Sequence, residues 1–117
     1  MNRELAEAHL TKVASQNGIL IHWRRRAWTK FEAHVTTKMV WIGKPTNAIR
    51  YMGALHEMGH IASRVAREAG KRGNDLTEEA AAWDWALAHA DKGIVGEITP
   101  DDRTQLALAW ASYFVVE

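Results

Sequence analysis

The sequence predicts an α+β domain, because one helical segment precedes a group of short strands and further helical segments follow them. The chain has 117 residues, 47% of them apolar, which suits one compact domain over residues 1–117. No internal repeat or linker divides it. Cysteine is absent, so neither disulfides nor cysteine-rich metal sites are expected.

The first predicted element is a helix from Asn2 to about Gln16. Asn2 is a good helix N-cap, and apolar residues recur after it at helical spacing. These residues are Leu5, Ala6, His9, Leu10, Val13 and Ala14. Gly18 follows at the position where a glycine commonly ends a helix.

Short branched and aromatic segments follow and predict a small sheet. Ile19–Trp23 is the first such segment, and after the basic residues 24–26 come Ala33–Thr36 and Met39–Ile42. Gly43–Pro45 ends the region with turn residues. We expect a sheet of two or three antiparallel strands, with Val40–Ile42 at an edge that could pair with a peptide.

Three more helices are predicted after the sheet. The second helix should begin at Thr46 or Asn47 and reach about Ala69, and residues 70–74 have the composition of a loop. A third helix should run from near Asp75 or Thr77 to about His89, with Asp75 and Glu78 spaced as a capping box. The fourth has Thr99 as cap, Pro100 in the first turn, and an end at or beyond Tyr113.

The candidate catalytic and metal-binding residues lie in the run His56-Glu57-Met58-Gly59-His60. Histidines four residues apart on a helix project from the same face and can bind one Zn²⁺ as neutral imidazoles. Glu57 lies beside that face and can deprotonate a water molecule on the metal, which is the general-base role of this motif. Gly59 permits another backbone to pass close by. It costs about 1 kcal/mol of helix propensity relative to alanine, which indicates that the sheet or the metal needs room there.

A tetrahedral site with two histidines and one water needs a third protein ligand, which we expect from residues 77–86. Here the sequence resembles the HExxH metallopeptidases of the gluzincin type, and most closely the compact ImmA/IrrE-like group of phages and mobile elements. The resemblance covers residues 19–89 and rests on the motif and on Glu79, Ala82, Trp85 and Ala86. It implies a zincin-like fold.

The same resemblance implies Glu79 as the third zinc ligand and hydrolysis of peptide bonds, for example in a regulatory protein. Glu78 remains the alternative ligand. Trp83 departs from the family pattern, which often has an asparagine or aspartate there to orient a ligating histidine, and Asp84 is a candidate substitute. Tyr51, Tyr113, His34 and His89 are the candidate donors to the oxyanion of the reaction.

The remaining patterns bear on partners. The net charge of +1 argues against nucleic acid, and Arg24–Arg26 between Trp23 and Trp28 more readily indicates a solvated segment than a phosphate site. No apolar run is long enough for a bilayer and the N-terminus lacks a secretory signal, so a cytoplasmic protein is expected. A protein or peptide substrate is what the resemblance implies. No pattern indicates an oligomeric state. A non-catalytic zincin-fold binding module and a metal-free accessory protein remain alternatives.

Overall fold

The computed structural model describes residues 1–26, 30–63, 76–96 and 102–112. Within these ranges the chain is α+β, as predicted, with a helix before a small sheet and helices after it. The elements are α1 (Arg3–Gln16), β1 (Leu20–Trp23), β2 (Glu32–His34), β3 (Met39–Ile42), α2 (Ala48–Ala62), α3 (Leu76–His89), α4 (Lys92–Val95) and α5 (Asp102–Ser112).

Helix α1 has the predicted bounds because its ends are specified locally. The side chain of Asn2 accepts a hydrogen bond from the backbone N–H of Leu5 at 3.1 Å. Gly18, beyond the other end, has a φ of +66°, which favours glycine. Ala6, Leu10, Val13 and Ala14 are buried, whereas Leu5, expected on the same face, is exposed.

The sheet is mixed, so the prediction of an antiparallel sheet was wrong for one of its two strand pairs. The strand order is β1-β3-β2, with β1 parallel to β3 and β2 antiparallel to β3. Residues 35–38 form the β2–β3 turn, where Lys38 has a φ of 53°. The turn makes β2 and β3 antiparallel neighbours, and β1 pairs with the other side of β3 in the same direction.

This order also corrects the predicted peptide-binding edge. Val40 and Ile42 belong to β3, which pairs on both sides and offers no free edge. The edges of the described sheet are β1 and β2.

Helix α2 lies in the centre of the molecule. The side chain of Asn47 caps it by accepting a hydrogen bond from the N–H of Arg50 at 2.8 Å. Every residue from Arg50 to Ile61 is buried. The helix ends at Ala62, so the predicted extension to Ala69 was wrong: Ser63 has extended backbone with a ψ of 130°. Periodicity alone does not fix the last turn of a helix.

Helix α3 ends at His89 as predicted, and α4 is a short helix that the sequence pattern did not indicate. Asp91 caps α4 by accepting a hydrogen bond from the N–H of Gly93 at 2.7 Å. The predicted loop at residues 70–74 and the predicted helix-end residues Asp75, Thr99, Pro100 and Tyr113 lie outside the described residues. No helix of the described part is long and apolar enough to cross a bilayer.

Candidate metal centre

Helix α2 brings the two histidines of the motif together. His56 and His60 are one turn apart, and their Nε2 atoms lie 3.1 Å from each other. Their rings meet edge to face, with centroids 4.6 Å apart and planes at 72°. Both side chains are buried, so the lone pairs of the two nitrogens have little access to bulk water.

Helix α3 supplies a carboxylate to the same point. Glu79 Oε2 lies 2.8 Å from His56 Nε2, and Glu79 Oε1 lies 3.1 Å from His60 Nε2. Ligands about 2.0–2.1 Å from a tetrahedral zinc ion are about 3.3 Å from one another. The three groups therefore have nearly the mutual spacing of a zinc coordination sphere.

Glu57 is the third member of a buried cluster that could hold a metal ion. His56, Glu57 and His60 each offer one ligand atom, and these atoms lie within 4.8 Å of one another. Glu57 Oε1 is 3.6 Å from Nδ1 of His56, the ring nitrogen that does not contact Glu79. That distance is too long for a hydrogen bond. Glu57 also lines the adjoining cleft.

Glu78 and Glu79 approach opposite sides of the His60 ring. Glu78 Oε1 lies 3.4 Å from His60 Nδ1, whereas Glu79 contacts Nε2. Glu78 is only 1% exposed, and the side chain of Glu79 is 36% exposed. A carboxylate at the second nitrogen of a histidine fixes the tautomer and orientation of that ring. The geometry therefore suits Glu78 to orienting His60 and not to binding the metal itself. Helical spacing alone did not separate these two roles.

Trp83 occupies the position where the sequence departs from the family pattern. Its ring stacks on the ring of His56, with centroids 4.2 Å apart and planes at 14°. Trp83 is buried, so its ring is fixed in place by the core. The stack restrains the imidazole by ring contact and not by a hydrogen bond. Asp84, the candidate substitute, is exposed. Sequence reasoning missed this role, although Trp83 lies four residues after Glu79 on the same face of α3.

Gly59 allows α3 to approach α2 at the site. A Cβ atom added to Gly59 would lie 2.5 Å from the carbonyl oxygen of Ala82 and 3.0 Å from its Cα. The predicted close approach of another backbone is confirmed, but that backbone belongs to α3 and not to the sheet. This contact holds the helix that carries Glu79 against the helix that carries the histidines.

The electrostatics of the centre follow from these contacts. Burial lowers the pKa of His56, but the carboxylates of Glu57 and Glu79 outweigh it and raise the pKa to about 9. Burial likewise raises the pKa of Glu79, but His56 and His60 outweigh it and lower the pKa to about 2. Without a metal, Glu79 is therefore ionised and paired with a protonated His56 near neutral pH.

A cleft of about 540 Å³ opens onto the centre. His56, Glu57 and Glu79 contribute to it, and most of the other lining is apolar. The remaining described residues along it are Lys30, Phe31, Leu76, Ala80, Trp83, Thr104, Ala107, Leu108, Trp110 and Ala111. Leu76 and Leu108 are both largely exposed, so an elongated ligand would meet apolar side chains from α3 and α5.

The three predicted oxyanion donors that the structure describes, Tyr51, His34 and His89, do not line this cleft. Tyr51 contacts His9 Nδ1 through its hydroxyl at 2.6 Å and accepts a hydrogen bond from the N–H of Asp91 at 3.0 Å. His34 lies on the sheet beside Trp41, and Tyr113 is outside the described residues. His89 stacks on Trp85. Lys30 and Thr104 are the other polar residues in the described lining of the cleft.

Comparisons of the chain with protein-family models, with curated proteins and with solved structures find no match.

Proposed function

We propose that the protein is a zinc-dependent metallopeptidase of the zincin type, in which His56, His60 and Glu79 hold the ion. The observation that carries the proposal is the convergence of three groups from two helices, with interatomic distances of 2.8, 3.1 and 3.1 Å. Two imidazoles and a carboxylate are a common ligand set of catalytic zinc, and it leaves a coordination position open.

The hydrogen-bonding pattern supports a cation at this point. If the Nε2 atoms of His56 and His60 were both protonated and donated hydrogen bonds to Glu79, their two N–H groups would face each other across 3.1 Å. A cation resolves this conflict, because each ring then carries its hydrogen on Nδ1. The Nδ1 atoms of His56 and His60 have no hydrogen-bond partner among the described residues, but they face Glu57 and Glu78 respectively. Those two carboxylates are suited to keep the rings in the ligating tautomer.

Zinc at such a site supplies Lewis acidity, which lowers the pKa of water and polarises the carbonyl group of a peptide. Glu57 is the general base of the proposed reaction. Its carboxylate accepts a proton from the attacking water and returns it to the amine nitrogen as the carbon–nitrogen bond breaks. Glu57 lines the cleft and is buried, which limits access of bulk solvent during this transfer.

Metal binding is tested with two adjacent glutamates. Zinc content of the purified protein is measured by mass spectrometry, and affinity by competition with a chromophoric chelator. Glu78→Gln should lower the affinity for zinc about 10- to 100-fold, as expected for a group that orients a ligand. Glu79→Gln should lower it further, because a ligand is lost. The reverse order would make Glu78 the ligand, and absence of zinc in the wild type would contradict the proposal.

Hydrolysis is tested with Glu57→Gln. The zinc-loaded wild type should cleave a quenched fluorescent peptide library, and Glu57→Gln should retain zinc while losing cleavage by about 100-fold or more. The second candidate is the non-catalytic zincin-fold binding module. The contact between Glu57 and His56 Nδ1 favours it, because that contact gives Glu57 a supporting role without catalysis. A zinc-loaded wild type that cleaves no peptide would support the module and exclude the peptidase.

A further inference from the structure

The outer face of the sheet carries an aromatic surface that the proposed peptidase does not use. His22 pairs in register with Trp41, and their rings stack with centroids 4.0 Å apart and planes at 27°. His34 of β2 lies against the same indole, with centroids 5.8 Å apart. Alternate residues of the three strands therefore form a row of rings, and both histidines are exposed.

Cations adjoin this row at the end of β1. The guanidinium carbon of Arg24 lies 5.5 Å from the centroid of the Trp41 ring, within the range of a cation–π contact. Arg25 and Arg26 follow, and both are exposed. A shallow pocket of about 380 Å³ joins the two features and is lined by His22, Trp23, Arg24, Arg25, Arg26 and Trp41. None of these lining residues is acidic.

We infer that this surface, formed by the rings of His22, His34 and Trp41 and by Arg24–Arg26, binds single-stranded nucleic acid. Flat aromatic faces beside consecutive cations match a ligand that alternates planar bases with phosphates. Arg24 is paired with Glu32, and the exposed Arg25 next to it can contact a phosphate of the strand. A duplex keeps its bases stacked inside and cannot use the rings in this way.

The overall charge does not contradict this inference. A net charge of +1 excludes a strong global field, but a local cluster is sufficient for a short single strand. Glu32, next to Trp41 in register, pairs with Arg24 and fixes that guanidinium beside the indole. In the sequence the arginines adjoin only Trp23 and Trp28. The sheet adds His22 of β1, Trp41 of β3 and His34 of β2 to the same surface.

The inference is tested by fluorescence anisotropy with a labelled oligomer of about 12 thymidines, a length within known single-strand site sizes. Trp41→Ala should weaken binding about tenfold, the loss expected for one stacked base. Arg25→Gln should reduce the slope of log K against log salt by about 0.7. Arg3→Gln removes an exposed cation from α1 and should change neither quantity.

A second measurement does not depend on the stability of the variants. An oligomer with bromouracil in place of thymine, irradiated on the wild type, should crosslink to peptides containing residues 22–26 or Trp41. The inference is overturned by no binding at low salt, or by equal affinity for a duplex with no effect of Trp41→Ala. Binding to phosphatidylserine vesicles without binding to the oligomer would instead assign the surface to membranes and would also overturn it.

Discussion

At the scale of single residues, the candidate metal centre combines two ways of orienting a histidine. His60 has the buried carboxylate of Glu78 at its second nitrogen, 3.4 Å away. His56 has the Trp83 ring on its face, in addition to Glu57 at 3.6 Å. Stacking restrains the plane of the imidazole but not its rotation within that plane, so the two histidines are held by different forces.

Replacing Trp83 tests whether its stack contributes to metal binding. We expect Trp83→Phe to keep a stacked ring and zinc affinity within about threefold, and Trp83→Leu to lower the affinity about tenfold. The measurement is zinc competition, together with the visible spectrum of the cobalt-substituted protein. Trp85→Leu removes the stack on His89 and is the matched control, since that pair lies away from the centre. Equal effects of Trp83→Leu and Trp85→Leu would assign Trp83 to packing alone.

At the scale of elements, the centre depends on the distance between α2 and α3. Two glycines of α2 make room for neighbours on different sides. Gly59 faces the backbone of Ala82 in α3, and a Cβ on Gly53 would lie 2.6 Å from the Trp110 ring of α5. The contact at Gly59 is between backbones, so it cannot be relieved by a rotamer change.

The pair Gly59→Ala and Gly53→Ala separates these contacts. Both substitutions should destabilise the fold by about 1–3 kcal/mol, because the steric cost of the added methyl group is larger than the gain in helix propensity. Only Gly59→Ala moves α3 and should weaken zinc binding, by about tenfold or more. Thermal unfolding and zinc competition measure the two effects. Unchanged zinc affinity in Gly59→Ala would show that Glu79 adjusts independently of the helix spacing.

Locally specified elements could be predicted from the sequence, and non-local pairings could not. The N-cap Asn2 and the strand Met39–Ile42 depend on neighbouring residues and were predicted correctly, and Asn47 was one of the two candidate starts of α2. The parallel pairing of β1 with β3 depends on the path of the chain between β1 and β2, which has no local signature. The predicted roles of Glu78 and Glu79 were left open for a similar reason, because the rotation of α3 against α2 is set by packing.

At the scale of the whole molecule, the paired charges predict how the stability of the metal-free protein varies with pH. The pKa of His56 is raised from 6.5 to about 9, so its contribution is complete below pH 6.5 and is lost as pH rises to 9. The pKa of Glu79 is lowered from 4.5 to about 2, so its contribution is complete above pH 4.5 and is lost as pH falls to 2. Both contributions are present from pH 4.5 to 6.5.

We therefore expect the chelator-treated protein to lose on the order of 1 kcal/mol of unfolding free energy between pH 6.5 and 9, a figure reduced for the partial exposure of Glu79. Urea unfolding at several pH values measures it. Zinc should reverse the trend, since ligating imidazoles must be deprotonated and the affinity for metal grows with pH. Glu79→Gln should reduce the dependence of the unfolding free energy on pH in the metal-free protein. A wild-type protein whose unfolding free energy does not fall between pH 6.5 and 9 would contradict the ion pair of His56 with Glu79.

The continuous burial of α2 from Arg50 to Ile61 has a consequence for hydrogen exchange. A helix covered on all sides has no exposed face from which it can open alone, so its central amides should exchange only through global unfolding. We therefore expect the two imidazoles to be attached to slowly exchanging backbone. The partly exposed Glu79 projects from α3, where fluctuations of lower free energy can occur. An arriving ion would meet two imidazoles held on a rigid helix, and it would replace the proton through which His56 pairs with the Glu79 carboxylate.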